Sequence, residues 1–111
     1  MSDIAIYAGD SLAVDYTVTL DGVAVDISAA TLTWEAKYSY SDLVPVIQKT
    51  TGTGIDHTNP TAGLAKLRLL PADTSALATD SPVTLVWSLR LFAGDDVYTV
   101  ATGLLVVEPV A

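Results

Sequence analysis

A chain of 111 residues, half of them apolar and 16% charged, makes one domain, too apolar for disorder and with no apolar run near the ~20 residues of a membrane-spanning helix. The absence of cysteine excludes disulfide staples and thiolate metal or nucleophile sites. Thirteen acidic residues against five basic ones give a formal charge of -8, so a phosphate backbone would be repelled and no nucleic-acid partner is expected. Met1-Ser2-Asp3 shows neither a basic nor an apolar leader, so no secretory signal and no membrane association are expected.

Residues 1 to 9 read as an N-terminal arm or first strand. Leu12 to Leu20 then alternates with period two. Leu12, Val14, Tyr16, Val18 and Leu20 share one face, and Ala13, Asp15, Thr17 and Thr19 the other, as in a half-buried strand. Asp21-Gly22 tolerates positive φ and predicts a two-residue hairpin turn, with Val23 to Ile27 returning beside the strand. The next alternation turns Leu32, Trp34, Ala36 and Tyr38 inward and Thr31, Thr33, Glu35 and Lys37 outward. Ser39-Tyr40-Ser41-Asp42 is a polar loop, Pro45 restricts the residues after it to an edge or a strand start, and Val46 to Lys49 is a short strand.

Gly52, Gly54, Asn59, Pro60 and Gly63 punctuate turns around a short strand at Ile55. In Leu64 to Leu69, Ala65, Leu67 and Leu69 oppose Lys66 and Arg68. Pro71 to Leu77 is the single helical candidate, because proline fits a first helical position; Leu77 is expected to point into the core. Val83 to Phe92 reads as the longest strand, with Val83, Leu85, Trp87, Leu89 and Leu91 inward. Gly94-Asp95-Asp96 makes a hairpin loop, and Val97 to Val100 with Leu104 to Val107 returns as one strand bulged or bent near Gly103.

Seven to eight short strands, frequent turn signals and one helical turn near 71–77 predict a single all-β domain over residues 1–111. Its architecture is an antiparallel β-sandwich of immunoglobulin-like proportions. Trp34 and Trp87 are expected to fill the space that a disulfide occupies in antibody domains.

A longer pattern runs through these elements. It comprises Leu32-Thr33-Trp34-Glu35-Ala36-Lys37, Ser41-Asp42, Val46-Ile47-Gln48-Lys49-Thr50, Gly54-Ile55, Pro60, Gly63, and Leu70-Pro71-Ala72-Asp73-Thr74 followed by Leu77. Tyr98 to Gly103 with Leu105-Val106-Val107 continues it. The pattern, over roughly residues 10 to 109, resembles the immunoglobulin-like sandwich modules of tailed-phage and prophage structural proteins, including the N-terminal module of baseplate upper proteins. Leu70 departs from it where those modules more often carry a Ser or Thr cap, and the loop Ala78 to Pro82 lacks a glycine often found there. The resemblance implies a non-enzymatic virion structural protein: a building block or adaptor in the tail or baseplate, or on the head. Such a protein is made in the host cytoplasm and carried on the particle, among other phage structural proteins and further copies of itself.

Chemistry offers little beside this. His57, the single histidine, sits in a polar loop, and recruiting Ser39, Ser41 and Asp42 to it lacks any nucleophile-elbow motif, so no catalytic residue is expected. Asp3, Asp10 and Asp15 near the start and Asp95-Asp96 at a hairpin lack a calcium-loop pattern, so no metal and no cofactor are expected. Trp34, Trp87, Tyr16 and Tyr38 fall inward by parity, which leaves Tyr40 as the aromatic expected to be exposed. Lys66, Arg68 and Arg90 face outward and would form a basic patch only if their strands were neighbours; otherwise they are solvated positions that blunt sheet edges.

The apolar excess is more informative. Val86, Phe92, Leu104 and Val106 lie opposite the core residues of their strands and, with Tyr40, are the candidate assembly contacts. A carbohydrate- or receptor-binding module is the alternative reading.

Overall fold

The computed structural model describes residues 3–77 and 80–110. Its strands are β1 (Ile4–Tyr7), β2 (Leu12–Thr17), β3 (Thr19–Leu20), β4 (Val23–Ala24), β5 (Thr31–Lys37), β6 (Ile47–Thr51), β7 (Gly54–Asn59), β8 (Leu64–Leu69), β9 (Val83–Ala93) and β10 (Asp96–Glu108). One turn of α-helix, α1 (Pro71–Thr74), and a 3₁₀ turn at Pro60–Ala62 complete the described elements. Ala78 and Thr79, in the loop that departs from the phage pattern, lie outside the described residues.

Hydrogen bonding runs in the order β1-β10-β9-β5-β6-β7-β8-β2. This chain of neighbours folds over between β6 and β7, which pair at Thr50 with Gly54 and Thr51 with Ile55. Partners four residues apart are a tight turn rather than a ladder, and Gly52 (φ 87°) and Gly54 (φ 96°) supply its left-handed conformations. The result is two layers, β1-β10-β9-β5-β6 over β7-β8-β2, with inward side chains of both in a single core cluster. An immunoglobulin-like sandwich is therefore the fold.

The period-two faces hold along most strands. Leu32, Trp34 and Ala36 of β5, Leu85, Trp87, Leu89 and Leu91 of β9, and Ala65, Leu67 and Leu69 of β8 are all buried. Burying a Leu side chain contributes about 2 kcal/mol, so these three strands dominate the core. Asp21 (φ 53°) and Gly22 (φ 79°) form the expected two-residue turn between β3 and β4. Leu77 packs against the core after α1.

Several expectations change. The strand from Leu12 breaks at Val18, whose N–H donates to the Gly63 carbonyl and whose own carbonyl accepts from Val25; Leu20 consequently lies exposed. The return after the hairpin pairs only at Val23 and Ala24, because Ile27 turns away to donate its N–H to the Pro60 carbonyl. Tyr38 is 59% exposed, since β5 ends at Lys37. β10, with 13 residues, is longer than β9, with 11. Its bulge falls between Thr99 and Ala101, while Gly103 stays in register, buried opposite Trp87. The N-terminal segment is a strand, β1, parallel to β10.

The missing cap at Leu70 is replaced from the other side. The Asp73 carboxylate accepts the Leu70 N–H at 2.7 Å and takes the Lys49 ammonium at 2.8 Å. Buried Thr74 accepts the Gly9 N–H at 3.0 Å. The single helical turn thereby ties β6 to the β1–β2 connection and closes one end of the sandwich.

Candidate functional site

The basic residues do not gather. Lys66 and Arg68 lie on β8, between β7 and β2, whereas Arg90 lies on β9 in the other layer. Each has a local partner: Lys66 with Asp15 at 3.8 Å, Arg68 with Asp56 at 3.5 Å, and the Arg90 guanidinium over the Phe92 ring at 5.5 Å. The basic patch is therefore not formed, and the three residues are outward positions on interior strands rather than residues that blunt a sheet edge.

His57, expected in a polar loop, lies on strand β7 and is likewise used locally. Its Nε2 lies 3.0 Å from the Thr51 hydroxyl, which also accepts the Leu32 N–H at 2.9 Å. Ser39, Ser41 and Asp42 instead bond among themselves across the β5–β6 loop, Asp42 accepting the Ser39 N–H at 3.2 Å and the two serine hydroxyls meeting at 3.0 Å. Asp3 accepts the Leu104 N–H at 3.2 Å, and no metal-holding cluster exists among the described residues.

Three aromatic rings form the centre of the core. Trp34 stacks on Trp87 at 5.9 Å, and Tyr16 meets Trp87 edge-on at 5.9 Å. The Tyr16–Trp87 contact joins β2 to β9 across the layers, as an inter-sheet disulfide does in antibody domains. The Tyr16 hydroxyl and both indole nitrogens are buried without a hydrogen-bond partner among the described residues. Burial pushes the Tyr16 phenol up to about 12; the Trp34 indole N–H, facing the phenol but outside hydrogen-bond geometry, opposes the rise in part. These rings are core rather than a sugar-stacking platform.

The outward apolar residues of β9 and β10 are half-buried and fall into two groups. Val86 faces Leu104, with Val106 beyond it opposite Thr84. Phe92 faces Val97 near the β9–β10 turn, at the opposite end of the sheet. Ser88, Arg90 and Thr102 separate the two groups, so no single apolar face runs the length of the sheet.

The two most exposed large apolar side chains among the described residues, Leu43 and Val44, are elsewhere. The loop between β5 and β6 carries Tyr38 (59% exposed), Tyr40 (60%), Leu43 (95%) and Val44 (78%). Tyr40 was expected here; the other three were not. Their signal in the sequence is an apolar pair, Leu43-Val44, set between a Ser/Asp loop and Pro45, outside any alternation. The loop projects from the end of the sandwich where β9 begins and β10 ends, which is also the Val86–Leu104–Val106 end. Tyr7, 57% exposed, lies at the same end, opposite Glu108. Three tyrosines and two aliphatic side chains thus stand exposed toward one end of the molecule.

No protein-family model matches the chain, and no curated protein matches it. Among solved structures it is similar to the NK cell receptor Nkp44, described as a triggering partner in natural cytotoxicity, with 14% identity, a TM-score of 0.55, and coverage of 97% of this chain and 96% of the receptor chain. That likeness carries the fold. AggA, the major subunit of aggregative adherence fimbriae type I from Escherichia coli, aligns over 99% of this chain and 91% of its own at 13% identity, but its TM-score of 0.33 carries no argument.

Proposed function

We propose that the protein is a non-enzymatic structural module of a tailed-phage particle that docks on neighbouring particle proteins through the β5–β6 loop and the adjoining end of the β9–β10 face. The observation behind this reading is the loop itself, with Leu43 and Val44 almost fully solvated beside Tyr38 and Tyr40. Buried apolar area contributes about 25 cal/mol per Å², so such a loop favours association once it meets a complementary surface. The resemblance of residues 10 to 109 to phage sandwich modules supplies the setting: a virion component made in the host cytoplasm. The test is mass spectrometry of purified particles, with heads and tails separated. Recovery in either fraction supports the reading and assigns the site of attachment; absence from particles overturns it.

A second reading is favoured by Tyr38, whose ring lies exposed together with that of Tyr40. Two accessible rings on one loop suit stacking against a sugar, as in a carbohydrate- or receptor-binding module. A glycan array probed with the protein and with Tyr40→Ala separates the readings, since only the second expects binding that the substitution abolishes.

A further inference from the structure

Among the described residues, strand β2 ends the hydrogen-bonded order, with β8 on one side and no strand on the other. No described backbone group from Leu12 to Thr17 bonds to anything beyond that ladder. Edge strands are normally protected by shortness, by charged side chains (Lys above all), by Pro, by a bulge or by a covering segment. β2 has no Lys, Pro or bulge within its six residues, and its one charge, Asp15, lies 3.8 Å from Lys66 of its own chain. Burial reports the same opening. Leu12, Val14 and Tyr16 point toward the core yet are only partly covered, while the same-face residues of β8, Ala65, Leu67 and Leu69, are at 1–2% exposure. Among the described residues, one flank of the core therefore ends at a bare strand.

We infer that this edge pairs antiparallel with the same strand of a second copy, joining the two β7-β8-β2 layers into one continuous sheet. The alternation and the charges restrict the register, and the pairing that covers all three half-exposed residues is centred on Val14. Directly opposed residues in an antiparallel ladder share a face, so only registers that oppose inward to inward are allowed. Placing Asp15 on the two-fold axis would oppose two like charges. Placing Val14 on the axis sets Leu12 against the partner's Tyr16 on the inner face and Ala13 against the partner's Asp15 on the outer face. That arrangement covers the three half-exposed core residues in both copies and leaves each aspartate beside its own lysine. Two bodies of formal charge -8 repel at long range, so the contact tightens as salt rises, whereas a contact with a basic partner would loosen. The inference goes beyond the phage reading and does not depend on it.

The experiment is sedimentation equilibrium of the full chain at low and high salt, with a charge pair at Ala13, an outward position. Wild type is expected to show a monomer–dimer equilibrium that tightens with salt. Ala13→Lys sets a cation against the partner's Asp15 twice per dimer and lowers Kd about fivefold; Ala13→Glu raises it by a similar factor. Ala24→Lys, exposed on β4, makes the same change in net charge and is expected to move Kd much less. Val14→Cys, in a chain otherwise free of cysteine, is expected to give a disulfide-linked dimer on oxidation. A monomer under all conditions overturns the inference, as does a strand that adds only a foreign peptide to its edge. A dimer that responds equally to lysine at 13 and 24, or that fails to cross-link at 14, overturns the β2 contact.

Discussion

Gly63 shows how closely one residue is held. Its φ is +75°, and a Cβ there would stand 2.7 Å from the Val18 carbonyl oxygen and 2.8 Å from that of Val25. Backbone oxygens on both sides cannot swing away as a side-chain end can, so Gly63→Ala is expected to cost about 2–4 kcal/mol in chemical denaturation. Gly9, at φ +86° with open space around it, is the comparison: Gly9→Ala is expected to cost about 1 kcal/mol, the conformational term alone. Tyr16 gives the second residue-scale prediction. Its hydroxyl is buried without a partner, so Tyr16→Phe is expected to be neutral or stabilising by up to about 1 kcal/mol at pH 7. The folded phenol ionises near 12 and the free one near 10.0, so the unfolded chain loses its proton first. Stability is full below pH 10 and falls as pH rises toward 12, by up to about 2 kcal/mol, a figure kept below the full linkage value because part of the ring meets solvent. Denaturant midpoints followed from pH 9 to 12 are expected to lose that extra fall in Tyr16→Phe.

At the scale of elements, period-two patterning was enough to place β2, β5, β8 and β9 and to turn the right faces inward, because a strand buried on one face cannot slip by one residue without exposing its core set. The pattern misled where alternation ran past the end of its ladder. Leu20 and Tyr38 are inward by parity, but β2 breaks at Val18 and β5 pairs with β9 only as far as Lys37. Parity counts residues and carries no information about where the partner strand stops. Gly103 misled in another way: it sits opposite Trp87 inside the core, and the bulge fell at Val100, which no residue type announces. The helical turn was legible from Pro71, but its anchoring was not, since nothing local pairs Asp73 with Lys49. That pair is nearly closed to solvent, with side-chain exposures of 10% for Lys49 and 20% for Asp73. Asp73→Ala strands a buried ammonium and removes the Leu70 cap, so it is expected to cost about 3 kcal/mol. Lys49→Met leaves the Asp73 carboxylate still capping Leu70 and is expected to cost about 1 kcal/mol or less. Thermal melts of the two variants measure the asymmetry, and equal losses would show that the pair, rather than the stranded charge, carries the energy.

For the whole molecule, the question is why a domain this small carries so much apolar surface at one end. The loop residues Leu43 and Val44 touch too little of the protein to hold it together, at 95% and 78% exposure. Leu43→Ser with Val44→Ser is therefore expected to leave unfolding stability within about 0.5 kcal/mol of wild type, the ordinary range for surface changes. The paired substitution Leu85→Ala with Leu105→Ala, at fully buried positions opposed in the β9–β10 ladder, is expected to lose several kcal/mol and unfold the domain. If the loop is the docking surface, the serine variant is folded and soluble, yet is missing from assembled particles when it replaces wild type. Co-purification with particles, set beside a denaturation curve of the same preparation, separates attachment from folding. A serine variant that melts early would make the loop part of the scaffold. One that melts normally and still loads onto particles would move the contact to the outward residues Val86, Leu104 and Val106 at the same end, where Val86→Ser and Leu104→Ser are the next substitutions to measure.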